Sequence, residues 1–184
     1  IVIELRAFHT SVVAFDLLGQ EFYRERATTV YNLTPEERVT EVQPMLERSI
    51  QSASRQAARI AKIIVVVPGI VDAETKITSS SLNWEKLELL QHIKNVVPAS
   101  VPVEVNTVAK LAALAEYRYI VRSNKTSKQM LHLELGITPG IGIVQNGELQ
   151  LGANLSMGNI AHISINQHGK LCRCGKIGCI ETEI

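Results

Sequence analysis

Cysteine is scarce in this 184-residue sequence: three residues, all lying between Cys172 and Cys179. An odd, clustered set is a poor disulfide framework and a good metal cluster. Aromatic side chains make up 4%, which argues against a platform for stacking single-stranded bases. No charge of one sign dominates: Lys plus Arg is 19, Asp plus Glu is 18, and the net charge is +1. A strong basic footprint for DNA or an anionic membrane is therefore excluded from these residues. No apolar run approaches the roughly 18 residues of a membrane span; Ile63 to Val67 is stopped at once by Pro68-Gly69. No basic stretch leads into an apolar segment and a small-residue cleavage site, so a reducing, cytoplasmic setting is expected. The chain opens on Ile1 and stops five residues after Cys179, and both ends are expected to be cut from something longer.

What is present is apolar and ordered. Hydrophobic residues are 46% and charged residues 20%, the balance of a globular chain. At about 150 residues per domain the length allows one ordinary domain or two small lobes. Ile1 to Ala7, Ser11 to Asp16 and Glu21 to Val30 read as an antiparallel meander, with a turn at Leu17 to Gln20. Thr34-Pro35-Glu36-Glu37 predicts a helix start, with Thr34 as N-cap, Pro35 in the first position and Glu37 closing a capping box. The helix is expected to run to about Ala61, kinked at Pro44. Ile63 to Val67 predicts a strand buried on both faces. A second helix over Glu85 to Val97, a strand at Val101 to Val105 and a third helix at Ala109 to Tyr119 follow. The polar stretch from Arg122 to Gln129 marks a lobe boundary, giving lobes of 1–121 and 122–184. Beyond it Met130 to Leu135 and Gly140 to Val144 predict strands, Asn146-Gly147 a hairpin turn, and Glu148 to Gly152 the return. Two α/β lobes with mixed sheets are the expected architecture.

The segment from Gly158 gathers the chemistry: His162, His168, Cys172, Cys174, Cys179 and Glu181. Three thiolates and one imidazole satisfy tetrahedral Zn²⁺ with no open position, which makes the expected site structural rather than catalytic. Gly175 and Gly178 let the chain wrap tightly round an ion. His162 and His168 compete for the fourth place, and the spacing does not decide between them.

The order of residues here, Gly158-Asn159-Ile160-Ala161-His162, a spacer, then Cys172-x-Cys174-Gly175-x-x-Gly178-Cys179-x-Glu181, resembles the zinc signature of the ROK family of repressors and sugar kinases. Val67 to Asp72 is similar to that family's Pro-Gly loop, Ser81 to Trp84 to its sugar loop, Val101 to Glu116 to its strand and Ala-rich helix, and Leu135 to Gly152 to its Gly-rich hairpin. The resemblance implies a two-lobed, actin-like (ribonuclease-H-like) fold with a sugar bound between lobes. It implies His162 as the fourth ligand of a structural Zn²⁺, beside Cys172, Cys174 and Cys179. It implies sugar contacts at Gly69, Asn83, Asn159 and Glu181. Each has a plainer reading: Asn83 as a helix N-cap, Asn159 as a turn residue, Glu181 in a surface ion pair, His168 as a solvated turn residue.

Departures from the family pattern shape the functional expectation. No glycine occurs in Ile1 to Thr10, where family kinases cradle ATP phosphates, and the family's general-base Asp falls on Val108, which accepts no proton. The expected function is therefore the sugar- or sugar-phosphate-binding body of a ROK transcriptional repressor, not an enzyme. It would be a homo-oligomer with DNA contacts in an N-terminal domain absent from this sequence, with a phosphotransferase-system protein as a possible partner and no membrane contact. A ROK sugar kinase and a protein-binding module with a vestigial sugar cleft are the alternatives.

Overall fold

The computed structural model describes residues 1–123 and 127–184. Their contacts divide into two compact units, Ile1–Pro68 with Thr75–Asn106, and Gly69–Glu74 with Thr107–Ile184.

The first unit opens on an antiparallel meander of β1 (Val2–Leu5), β2 (His9–Phe15) and β3 (Glu21–Thr28). Period-2 alternation buries Ile3 and Leu5 of β1, and Val12 and Ala14 of β2 are also fully enclosed. Helix α1 (Pro35–Arg55) packs on β2 and β3 through Val39, Val42, Met45 and Leu46, the helical spacing visible in the sequence. Its capping box is formed: Thr34 Oγ1 accepts from Glu37 N at 3.2 Å, and Glu37 Oε2 accepts from Thr34 N at 2.8 Å. The helix runs unbroken through Pro44 and ends at Arg55, short of the expected Ala61. Ala57 takes a left-handed φ of 53°, and Ala58 N closes back on Ala53 O at 3.0 Å, which ends the helix there.

Strand β4 (Ile63–Val67) lies parallel to β1, with Ile3 opposite Val65. Its neighbours are β1 and a later strand, so both faces of Val65 and Val67 are enclosed, as a continuous apolar run requires. Strand β5 (Ile70–Val71) belongs to the second unit. Strands β6 (Lys76–Ser79) and β7 (Trp84–Glu88) form a hairpin in the first unit, followed by α2 (Leu90–Lys94) and β8 (Val103–Thr107). The main sheet has the order β3-β2-β1-β4-β8.

The expected helix from Glu85 to Val97 is replaced by β7 and the five-residue α2. Trp84 is buried and its Nε1 donates to Leu33 O at 2.8 Å. That bond fixes the start of β7, and Leu87 pairs with Ile77 across the hairpin. Tertiary pairing overrides a spacing of Trp84, Leu87 and Leu90 that suits a helix equally well.

In the second unit α3 (Val108–Arg122) covers one side of an antiparallel meander, β9 (Gln129–Glu134), β10 (Gly140–Gln145) and β11 (Glu148–Leu149). Gly142 permits the contact: a Cβ there would lie 2.1 Å from Ala109 O and 2.5 Å from Ala113 Cβ. Asn146 and Gly147 both take positive φ, 52° and 88°, the two-residue hairpin turn expected of that dipeptide. The stretch from Arg122 to Gln129 joins α3 to β9, and residues 124–126 within it lie outside the described residues. A short α4 (Ile180–Glu183) follows the cysteine segment. Among the described residues no helix is long and apolar enough to cross a membrane.

Candidate metal centre and sugar-contact positions

The cysteine segment is built almost without regular structure. Short backbone bonds close a knuckle: Cys172 N donates to Lys176 O at 2.8 Å, Gly175 N to Cys172 O at 2.9 Å, and Gly178 N to Lys170 O at 2.8 Å. Leu171 and Ile177 form an isolated antiparallel bridge, and so do Ser164 and Cys179. Gly178 has φ 65°, and a Cβ there would lie 1.7 Å from Asn166 O. No other residue fits this crossing of two backbones.

His162, Cys172, Cys174 and Cys179 are brought together, their four donor atoms all within 4.8 Å of one another. Cys174 Sγ and Cys179 Sγ are 3.6 Å apart, and Cys172 Sγ lies 3.5 Å from His162 Nδ1. A tetrahedral zinc with bonds of about 2.3 Å to sulfur and 2.0–2.1 Å to nitrogen places sulfurs about 3.8 Å apart and a sulfur about 3.6 Å from the nitrogen. The cluster fits a divalent ion of that size. Burial and the neighbouring sulfurs push the Cys179 thiol up to about 12. Thiolates this close repel one another, and a bound cation is what stabilises them. His168 is exposed in an Asx turn, its backbone N donating to Asn166 Oδ1 at 3.1 Å, and is not among the four.

Glu181 sits beside this cluster. Its side chain is 8% exposed, with Oε2 3.8 Å from His162 Nε2 and Oε1 3.9 Å from Arg173 Nε. With Nδ1 turned toward Cys172 and Nε2 toward Glu181, His162 has the carboxylate–imidazole–metal arrangement that orients a ligating histidine. Glu181, Arg173, Cys172 and Gly136 line an open cavity of about 530 Å³ in the second unit.

The other positions are spread over both units. Gly69 has φ 102°, a conformation that favours glycine. Asn159 is half-buried in a turn, its N donating to Ser156 O at 3.2 Å. Asn83, in the first unit, has φ 57°, and its Nδ2 donates to Asn32 Oδ1 at 2.6 Å. Its reading as a helix N-cap is corrected, because strand β7 and not a helix follows it. Val108 opens α3, whose first turn holds no acid. Glu104, on β8 just before it, accepts from Lys62 Nζ at 2.9 Å, which holds its carboxyl below the usual carboxylate range.

Two buried cations escaped sequence reasoning. Arg38, 1% exposed, donates to Thr29 Oγ1 at 2.6 Å and Arg6 O at 2.8 Å, and pairs with Glu41 at 3.3 Å. Its place on the same stripe as Val42 and Met45 was the available signal. Lys110 is buried in the first turn of α3 and donates to Leu155 O. Only its Ala-rich surroundings hinted at that.

The family model for ROK proteins, described as "ROK family", matches residues 1–184. This chain belongs to the ROK family. Among curated relatives, the xylose repressor of Caldicellulosiruptor bescii is 27% identical over 98% of this chain and 45% of its own length. NagC of Escherichia coli, a DNA-binding transcriptional dual regulator, is 28% identical over 99% of this chain and 47% of its own. A glucokinase of Halalkalibacterium halodurans is 30% identical over 78% of this chain and 43% of its own. The chain thus spans about half the length of the curated relatives it matches. Two crystal structures share the fold, each with a TM-score of 0.77. One is a ROK transcriptional regulator homologous to the Escherichia coli MLC protein, 23% identical over 98% of this chain and 45% of that one. The other is a ROK glucokinase of Streptomyces griseus with glucose and AMPPNP, 20% identical over 96% of this chain and 54% of that one. The mixed α/β architecture is therefore the actin-like fold of ROK proteins.

The expectation that the chain is not an enzyme does not stand, since sugar kinases are among the relatives that share its sequence and its fold. That expectation rested on Val108 and on a glycine-free first hairpin. General-base help supplies only about 10²–10⁴ of a rate enhancement, and a backbone N–H donor is not confined to glycine. A transcriptional regulator and a glucokinase are both among the proteins that share this fold.

Proposed function

We propose that this chain binds a monosaccharide through its second unit, with Gly69, Asn159 and Glu181 as its contacts and a structural Zn²⁺ on His162, Cys172, Cys174 and Cys179 fixing the segment that presents Glu181. The observation that supports this is the His162–Glu181 pairing, which ties a hydroxyl-accepting carboxylate to the metal cluster. Buried carboxylates and amides are the groups that read sugar hydroxyls, and their orientation decides selectivity.

Two outcomes of sugar binding have separate support. Effector binding in a repressor, with DNA contacts outside these 184 residues, is supported by near-complete alignment with the xylose repressor and NagC. Phosphorylation of the sugar is supported by the higher identity to a glucokinase and by the fold shared with a glucokinase holding glucose and AMPPNP.

Isothermal titration with glucose, xylose, N-acetylglucosamine and N-acetylmannosamine tests the binding. Asn159→Ala is expected to weaken the best ligand about two- to tenfold, the worth of one neutral hydrogen bond. A sugar that binds wild type and variant equally removes Asn159 from the site, and no sugar binding at all refutes the proposal. A coupled assay with ATP and Mg²⁺ then separates the outcomes: sugar-dependent ADP release assigns the kinase reading, and saturable sugar binding without it assigns the effector reading.

A further inference from the structure

The first unit holds a cavity of about 470 Å³ that shares no residue with the metal centre or with the proposed sugar contacts. Small-molecule sites span about 300–1,000 Å³. The cavity forms where α1 stops. Ala57 turns left-handed, Ala58 N closes on Ala53 O at 3.0 Å, and residues 58–62 belong to no helix or strand until β4 begins at Ile63. Ala53 and Ile60 line the cavity from this side. The end of β2 and the start of β3 supply the rest. Their pairing slips between Ala14 and Phe15, so that Phe15 lies opposite Glu21 and Phe22 is the extra residue. A bulge of this kind re-aims side chains, and Phe15 and Phe22 both line the cavity.

The turn between those strands is fixed by its own hydrogen bonds. Asp16 Oδ1 accepts from Leu18 N and Gln20 N, each at 2.8 Å, and Asp16 O accepts from Gly19 N at 3.1 Å. Leu17, 89% exposed on that turn, also lines the cavity. Apolar area held in water by a built turn gains from being covered. The charged groups decide what kind of molecule covers it. Asp16, the one acid of the lining, is spent on the turn amides. Lys62 Nζ donates to Glu104 at 2.9 Å. Arg59 is exposed and makes no hydrogen bond or ion pair among the described residues. A free guanidinium at the rim of an apolar cavity matches a carboxylate, which it can hold through two parallel N–H bonds.

We propose that this cavity is a second ligand site, for a small apolar carboxylate whose hydrocarbon body lies among Phe15, Leu17 and Phe22 and whose head group sits on Arg59. The site is independent of the sugar-binding reading and stands or falls without it. Fatty acids of medium length and arylalkanoic acids share this chemistry. Two phenyl rings offer contact area to an alkyl chain and edge or face packing to an aromatic one.

Titration calorimetry tests it with two matched pairs, decanoate against decylammonium and 4-phenylbutyrate against 4-phenylbutylammonium, all below micelle-forming concentrations. The proteins are wild type, Arg59→Gln and Ala61→Trp, each checked for folding by far-ultraviolet circular dichroism and its urea midpoint. At least one carboxylate is expected to bind saturably, one per chain, and about tenfold or more tightly than its ammonium counterpart. Arg59→Gln should lower that affinity about fivefold or more and remove the preference for the anion. Ala61 is exposed and lines the cavity, so Ala61→Trp should fill the space and abolish binding of either carboxylate. Tighter binding of decanoate assigns an aliphatic ligand, and tighter binding of phenylbutyrate an aromatic one. The proposal is overturned if neither carboxylate saturates, if the ammonium compounds bind equally well, or if affinity is unchanged in folded Arg59→Gln or Ala61→Trp. Should Ala61→Trp not fold, Arg59→Gln decides alone, because Arg59 has no contact partner whose loss would disturb the fold.

Discussion

Replacing Arg38 with methionine is the sharpest test of how the first unit holds its opening hairpin. The guanidinium is fully enclosed and joins three elements: α1, which carries it; the β1–β2 turn, through Arg6 O at 2.8 Å and Ala7 O at 3.4 Å; and Thr29 beyond β3, at 2.6 Å. Glu41, about a quarter exposed, is its counter-charge at 3.3 Å and also accepts from Thr29 Oγ1 at 2.6 Å and Thr10 Oγ1 at 3.3 Å. Methionine fills much of the volume, and Glu41 keeps both threonine hydroxyls. What is lost is the charge pair and the donor to the turn carbonyls. Breaking a buried pair typically costs about 3–5 kcal/mol. Two features reduce that figure: Glu41 is partly hydrated, and Arg38 Nε, buried without a partner, is removed. A loss of about 2–4 kcal/mol follows, equivalent to a fall in Tm of roughly 4–16 °C for a chain of this size. Urea unfolding of wild type, Arg38→Met, Glu41→Met and the double variant measures it. The double variant is expected to be more stable than the sum of the single losses predicts, because it leaves no orphaned charge. A loss below about 1 kcal/mol in Arg38→Met, or strict additivity in the double variant, would refute this account of the hairpin.

Metal analysis of the purified chain should find one zinc per chain, and Cys174→Ser should lose it and raise hydrogen exchange around Glu181; three freely alkylatable thiols in zinc-replete protein would contradict the assignment. At the Glu4 carboxyl, burial acts to raise the pKa, but hydrogen bonds from Arg6 and Ser11 prevail and leave it below its ordinary value. A depressed folded-state pKa gives stability that is present above the unfolded-state value and lost as pH falls through the folded one. Glu4→Gln should therefore flatten the acid limb of the stability–pH curve and leave the neutral region less stable; a parallel curve shifted uniformly in pH would contradict it.

Most of the fold was legible because local signals agreed with tertiary placement. The capping box at Thr34 and Glu37, the buried run at Ile63–Val67 and the Asn146-Gly147 turn each have a physical cause confined to a few residues. The segment from Glu85 to Val97 was not legible, because its apolar spacing suits two structures and a bond between Trp84 and a residue 51 positions earlier decides between them. The donor cluster was legible as a set of residue types, but spacing alone did not choose between His162 and His168; the family resemblance did. His168 sits in an Asx turn at the surface, and His162 is carried to the thiols by backbone contacts that leave no periodic trace. Lys110 and Arg38 were illegible for a related reason: a buried cation looks like any exposed one until its acceptors, mostly carbonyls and hydroxyls from distant segments, are assembled round it.

The same reasoning explains why so irregular a segment can hold a site. Between Gly152 and Glu183 the chain has almost no repeating hydrogen-bond ladder, yet its path is tightly constrained. A Cβ on Gly158 would fall 1.8 Å from Ile141 O, and one on Gly178 would fall 1.7 Å from Asn166 O. At both points one backbone lies directly against another, with φ of 89° and 65° that favour glycine. Gly158 pins the start of the segment to β10, and Gly178 pins the knuckle to the strand-like stretch after His162. Just past the second pin, Ile180 N donates back to Ile163 O and Glu181 N to Ala161 O, each at 3.0 Å. His162 and Glu181 are thus held side by side by main-chain bonds. An ion on the four donors would close the last degree of freedom, since it links Cys172 and Cys174, on the knuckle, to His162, on the other side of the crossing. Position in this site is set by backbone contact and ligation rather than by helix or strand, which is why substitution of a glycine here is expected to be as damaging as loss of a ligand.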